Sequence, residues 1–170
     1  MNDSINSFPR AGFMRRIAAM VYDLLVAVAV GMCAAIVMTV VFTLLYENGV
    51  LDKGGIEHVG DVMQQSLLYQ TSMQIWVSLW VAGFFVWFWR NGGQTIGMRA
   101  WRLRIVSTNE QPMNYGRAIL RLFTSLLGLG TLLVLVDFKN KLALQDRLTQ
   151  TEMIALTKDA NHHRNWRGLD

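Results

Sequence analysis

From Ile17 to Tyr46 the chain runs for 30 residues with one formal charge, Asp23. About 20 apolar residues suffice to cross a bilayer. A helix of this run would be about 45 Å long at about 1.5 Å per residue, against a hydrocarbon slab of about 30 Å. Its first two turns therefore belong at headgroup depth, and Leu24 to Leu45 does the spanning. The run is too long for an ordinary core helix or for the apolar part of a signal peptide, so it is expected to be retained. Arg16 and Asp23 are seven residues apart, and seven steps of about 100° return both to nearly the same helix face. These features imply an integral membrane protein.

Two further apolar segments follow. Leu67 to Trp89 has 23 residues without a formal charge, with Trp76, Trp80 and Trp87 on a helical stripe and Trp89 beside Arg90. Tryptophans near segment ends suit the interfacial belt, which is favoured over a ligand-stacking box. Ala118 to Val136 is shorter and is interrupted by Arg121 and by Gly128-Leu129-Gly130. Between the apolar blocks, Arg102 to Ser107 alternates as a half-buried strand does. Asn109 to Asn114 reads as a turn, and Thr151 to Thr157 as a second strand. The expected architecture is an all-α membrane protein. It has membrane segments at about 17–46, 67–89 and 118–138 and a small cytoplasmic β pair, flanked by polar tails at 1–10 and 158–170.

Charge placement sets the expected topology. Lys and Arg number three up to Arg16, one in the loop 47–66, six in 90–121 and six in 139–170. The positive-inside rule puts the N-terminus and the 90–117 loop in the cytoplasm and the acidic 47–61 loop outside. That is the topology of a multi-pass membrane protein with a cytoplasmic N-terminus. A spanning third segment would carry six basic residues outward. A re-entrant one would keep 15 of 16 inside, with Gly128 and Gly130 as breakpoints, since glycine is costly within helices. Both routes stay open at this level.

The net charge of +4 is better explained by Arg99, Arg102, Arg104 and Arg117 meeting anionic headgroups than by nucleic acid. Cys33 is the single cysteine, so no intramolecular disulfide forms. His58, His162 and His163 are the only histidines, and no nucleophile set, metal-ligand spacing or phosphate-cradling loop accompanies them. No enzyme, cofactor or metal centre is expected. Gly92-Gly93 reads as a turn at the membrane exit. Glu57, His58 and Asp61 read as a solvated loop rather than a cation site.

Three separated pieces carry a resemblance. Arg15-Arg16-Ile-Ala-Ala-Met-Val-Tyr-Asp23, Gln94-Thr-Ile-Gly-Met-Arg-Ala-Trp-Arg-Leu-Arg-Ile-Val106 and Gln145-Asp-Arg-Leu-Thr-Gln-Thr151 together resemble the RDD family of small bacterial membrane proteins. The likeness runs from Ala11 to about Ala155. It implies that the name-giving arginine and two aspartates are Arg16, Asp23 and Asp146. The family's middle motif usually reads Thr-Pro-Gly-Lys-Arg. Thr95, Gly97 and Arg99 keep it, while Ile96 and Met98 depart. Gln145 stands where His is common, and Gln150 where Gly is. Some members are credited with Na⁺(Li⁺,K⁺)/H⁺ antiport and others with membrane-complex assembly.

A carboxylate within a bilayer costs about 2.5–3.5 kcal/mol on insertion scales and is a functional candidate by default. Two pairs are candidates for a transport or structural charge network, Asp23 with Arg16 and Asp137 with Arg121. Asp146 joins if the tail packs back. Such a set either shuttles monovalent cations and protons or locks the fold. Two or three segments are too few to enclose a conducting path. Transport therefore implies a homo-oligomer or a membrane partner subunit, through small residues such as Ala27, Gly31 and Ala35. The leading expectation is a cation/proton antiporter-like membrane protein, and the alternative is a non-catalytic accessory or scaffold subunit.

Overall fold

The computed structural model describes residues 8–56, 58–109, 111–137 and 140–161. Glu57, His162 and His163 lie outside the described residues. The described residues fall into two compact units, one from residues 1–26 and 85–170, the other from 27–84. Two helices are long and apolar enough to cross a membrane: α1 (Phe13–Glu47) and α3 (Leu67–Gly92). Few of their residues are covered by protein; in α3 none is buried. Leu24, Leu25, Met32 and Ile36 on α1 and Leu67 and Leu79 on α3 are each more than half exposed. In water that arrangement would be unstable, because burial of apolar surface drives folding. In lipid it is the ordinary state of a spanning helix.

In the 27–84 unit the upper part of α1 and the first part of α3 form an antiparallel hairpin. Trp76 Nε1 donates to the Ala34 carbonyl at 3.0 Å, and Thr39 and Tyr69 hydroxyls lie 3.0 Å apart. Trp76 thus points into the helix pair, whereas Trp80 and Trp87 are about half exposed. Trp76 is therefore not the lipid-facing anchor that the stripe suggests. A side chain on Gly31 would meet Val77, so the small-residue stripe expected to face another subunit is taken up, at Gly31, within the chain. The short helix α2 (Val59–Gln65) packs Val62 and Met63 on Phe42 and Tyr46.

The other unit is built around a small sheet. β1 (Leu103–Ser107) pairs antiparallel with β2 (Thr151–Ala155), Leu103 opposite Ala155 and Ser107 opposite Thr151. On the far edge of β2, Ala11 N–H donates to Met153 O at 2.8 Å and Ala155 N–H to Pro9 O at 2.9 Å. Pro9 and Arg10, at the end of the expected polar tail, are therefore held to the sheet along with Ala11. The alternation expected of β1 is absent: Leu103, Arg104, Ile105 and Val106 are all buried. Ala11, Ala19 and Met98 pack with Leu103 and Ile105, while Val106 packs with Ile154 and Leu156. Both faces of the strand are covered, which a period-two pattern could not anticipate.

Between the strands, the third apolar segment is not one helix. α5 (Tyr115–Ser125) starts where Asn114 Oδ1 accepts from Arg117 N–H at 2.8 Å, an N-cap bond. A 3₁₀ stretch, Leu126–Leu132, leads into the single turn α6 (Leu133–Val136). The axis bends by 77° between Tyr115–Ser125 and Gly128–Val136. Gly128 has φ +99°, and a Cβ there would strike the Met20 side chain of α1. The Met20 end can move aside, so the positive φ is what favours glycine here. The short helices α4 (Ile96–Ala100) and α7 (Leu144–Leu148) complete the unit.

Candidate functional site

Asp146 is the third residue of α7, and its carboxylate reaches back to the Ala143 N–H at 3.1 Å. That local bond, the backbone half of a capping box, fixes the side chain so that both oxygens face two arginines. Arg16, from the first turn of α1, donates Nη1–H to Asp146 Oδ2 at 2.6 Å. Arg121, from α5, donates Nη2–H to Asp146 Oδ1 at 2.6 Å. All three side chains are at most 2% exposed. Other guanidinium donors bond elsewhere. Arg16 bonds the Ala11 and Lys141 carbonyls at 3.1 and 2.9 Å. Arg121 bonds the Thr151 hydroxyl at 2.6 Å, and its guanidinium carbon lies 5.8 Å from the centre of the Trp89 ring, within cation–π range.

Burial opposes ionisation of Asp146, but Arg121 and then Arg16 outweigh it and hold the carboxyl below its usual range. The cluster is thus two cations on one anion, with a formal charge of +1. It ties α1, α5 and α7 together beside the sheet.

Asp23 forms a second, separate lock. Its Oδ2 accepts from the Thr95 hydroxyl at 2.5 Å and its Oδ1 from the Gly97 N–H at 2.7 Å. The same Thr95 oxygen accepts from Met98 N–H at 3.3 Å, as the N-cap of α4. Gly97 is required by proximity. A Cβ there would lie 2.8 Å from both Asp23 Cγ and Asp23 N, and closer still to Ala19 O. Thr95, Gly97 and Asp23 are therefore one device, an α4 N-terminus pressed against α1 with an anion between.

Two expected pairings are corrected. Arg16 and Asp23 do not pair. Seven residues rise about 10 Å along a helix, farther than these side chains bridge, and each finds a partner from elsewhere in sequence. Asp137 does not meet Arg121. It lies past the end of α6, accepts from Arg147 Nη2–H at 2.7 Å and caps Asn140 at 3.1 Å. Arg99, the third middle-motif residue, is exposed in the last turn of α4. Gln145 is buried, and its amide donates to Thr131 Oγ1 at 3.1 Å, anchoring the 3₁₀ stretch to α7.

Sequence reasoning missed Arg117, whose guanidinium bonds the Thr149 carbonyl at 2.7 Å, Gln150 O at 2.9 Å and Ser107 Oγ at 3.0 Å. It was read as a headgroup ligand. Its place one helical turn from Arg121, on the face opposite Ile119 and Phe123, is the signal that was available.

Ile96 occupies the first turn of α4, where proline is favoured because its absent N–H is not needed and its φ suits the helix. Thr95 before it has φ −80° and ψ 174°, already the extended region that a following proline requires. Ile96→Pro is expected to raise stability by about 0.4–1 kcal/mol, measured as thermal unfolding in mild detergent. An unchanged or lowered midpoint would count against this assignment of the cap.

Comparison with protein-family models finds the RDD family over residues 10–150. Curated proteins and solved structures give no match.

Proposed function

The chain belongs to the RDD family, and we propose that within it the chain serves as a non-catalytic scaffold or accessory subunit of a membrane complex. Its sheet and its termini would lie on the cytoplasmic side of a bacterial inner membrane, following the bias of basic residues.

One observation carries this reading: both buried aspartates are occupied by donors. A site that exchanges a proton for Na⁺, K⁺ or Li⁺ must offer oxygen lone pairs to the cation. Asp146 instead faces two guanidinium groups at 2.6 Å and a backbone N–H. A third positive charge there would meet direct repulsion. Asp23 accepts from a hydroxyl and a backbone N–H that also fix a helix end. The chemistry is that of locks, which hold α1, α4, α5 and α7 as a platform. Anionic headgroups remain the expected ligands of exposed basic residues such as Arg99.

Cation/proton antiport is the competing reading. Purified protein in proteoliposomes with an internal pH dye, given Na⁺, K⁺ or Li⁺ gradients, separates the two. The scaffold reading expects no cation-dependent proton movement from folded, inserted protein, and a partner that survives mild-detergent extraction from native membranes. Proton movement that disappears in a folded Asp23→Asn variant would replace it with antiport.

A further inference from the structure

α5 is assembled inside out for water. Its polar side turns inward: Arg121 is 2% exposed in the Asp146 cluster and Ala118 is fully buried. Its apolar side turns outward, with Ile119 and Leu120 nearly half exposed and Phe123 at 71%. Beyond the bend, Leu129 and Val136 continue the exposed apolar surface at 64% and 79%. An exposed stripe of this kind marks a membrane or protein contact.

The strand pairing decides how such a contact can be made. β1 precedes the third segment and β2 follows it, and the two strands pair from Leu103 opposite Ala155 to Ser107 opposite Thr151. Residues 107 and 151 must therefore lie on one side of any bilayer. The chain between them crosses an even number of times. α5 has 11 residues, about 16 Å at about 1.5 Å per residue, about half the hydrocarbon thickness. Two crossings do not fit. The same sheet holds Pro9 and Ala11, as expected if α1 crosses outward and α3 returns.

We propose that α5 and the 128–136 stretch form a wedge that inserts into one leaflet, on the side of both β-strands, with phospholipid acyl chains covering Ile119, Phe123, Leu129 and Val136. The fit follows from chemistry on both faces. The Arg117 and Arg121 guanidinium groups bond to the protein, while Ile119, Phe123, Leu129 and Val136 turn carbon to the surroundings. At the start of α5, Tyr115 lies under the Arg90 guanidinium, 4.5 Å from the ring centre, an aromatic–cation pair suited to the headgroup level at which the wedge begins. The inference stands apart from the scaffold reading, since a transporter could carry the same wedge.

The test uses single cysteines in a Cys33→Ala background. Pro112→Cys and Lys158→Cys flank the segment, and Val50→Cys marks the opposite side. In sealed vesicles an impermeant maleimide should label Pro112→Cys and Lys158→Cys from the same side, and Val50→Cys from the other. Labelling of Pro112→Cys and Lys158→Cys from opposite sides overturns the wedge. In a second measurement, Phe123→Cys and Leu129→Cys carry an environment-sensitive fluorophore in phosphatidylcholine–phosphatidylglycerol vesicles. Lipids brominated at shallow depth should quench both fluorophores more than lipids brominated near the chain ends. Three outcomes would refute it: stronger quenching by the deep bromines, quenching by aqueous iodide, or protection from all three quenchers, which would mean that a protein surface covers the site.

Discussion

Asp146→Asn is expected to be the most damaging single substitution outside the core, lowering stability by about 3–5 kcal/mol. That is the usual cost of removing one partner from a buried ion pair, and here it leaves two buried guanidinium groups, from Arg16 and Arg121, without an anion. Domains are stable by only about 5–15 kcal/mol, so the variant should accumulate poorly and unfold at markedly lower temperature in detergent. Asparagine can still accept one hydrogen bond, but it supplies no charge. Replacing the whole cluster, Arg16→Met with Arg121→Met and Asp146→Leu, should cost less than the single change. Matched apolar residues avoid the desolvation that the ions incur. Arg121→Lys should fail as a conservative change, because Arg121 reaches Asp146 and Thr151 with different nitrogens and an ammonium offers no such fork.

The pH dependence follows from the same cluster. The folded Asp146 pKa lies below its ordinary value of 3.8, so the unfolded state binds the proton more readily. Its stabilising contribution is complete above the ordinary value and is lost as pH falls from there through the folded pKa. Wild type should therefore lose stability in that acid window while Asp146→Asn changes less, and the gap between them should narrow. A gap that stays constant as the pH falls through that range would refute the ionised cluster.

The membrane helices were legible because lipid imposes a requirement that appears directly in composition, long runs without charge. The two strands were legible at their positions but not in their burial, because coverage of β1 on both faces comes from Ala11, Ala19 and Leu156, distant in sequence. The identities of Arg16, Asp23, Asp146 and Arg121 as a charge set could be read. Their pairing could not. Helical periodicity places Arg16 and Asp23 on one face but says nothing of which element arrives opposite each. Asp146 comes from 130 residues away and Thr95 from 72. Arg121 looked like a flaw in a spanning segment, and it is instead the reason that α5 turns its polar side inward. The bend at Gly128 was suggested by glycine alone, and its φ of +99° is a conformation that other residues rarely adopt.

The second large effect is expected at Gly97. Gly97→Ala would place a methyl group 2.8 Å from the Asp23 backbone N and against the Ala19 carbonyl, and neither can swing aside, since both belong to the backbone of α1. α4 must withdraw, which strains the packing by about 1–3 kcal/mol and lengthens the Gly97–Asp23 and Thr95–Asp23 hydrogen bonds. Bonds to a charged group are worth about 1.5–3 kcal/mol each, so a total loss of about 3 kcal/mol or more is expected in thermal or denaturant unfolding. A double-mutant cycle distinguishes the lock from simple crowding. Asp23→Ala alone should be costly, because it leaves the Gly97 N–H and Thr95 hydroxyl buried without their acceptor. Added to Gly97→Ala it should cost much less, since the bonds it removes are already broken, while the clash with the Ala19 carbonyl and the Asp23 backbone N stays the same in both backgrounds. Contacting residues couple by about 0.5–3 kcal/mol in such cycles. Strict additivity, or a Gly97→Ala protein as stable as wild type, would mean that α4 is not held to α1 by Asp23.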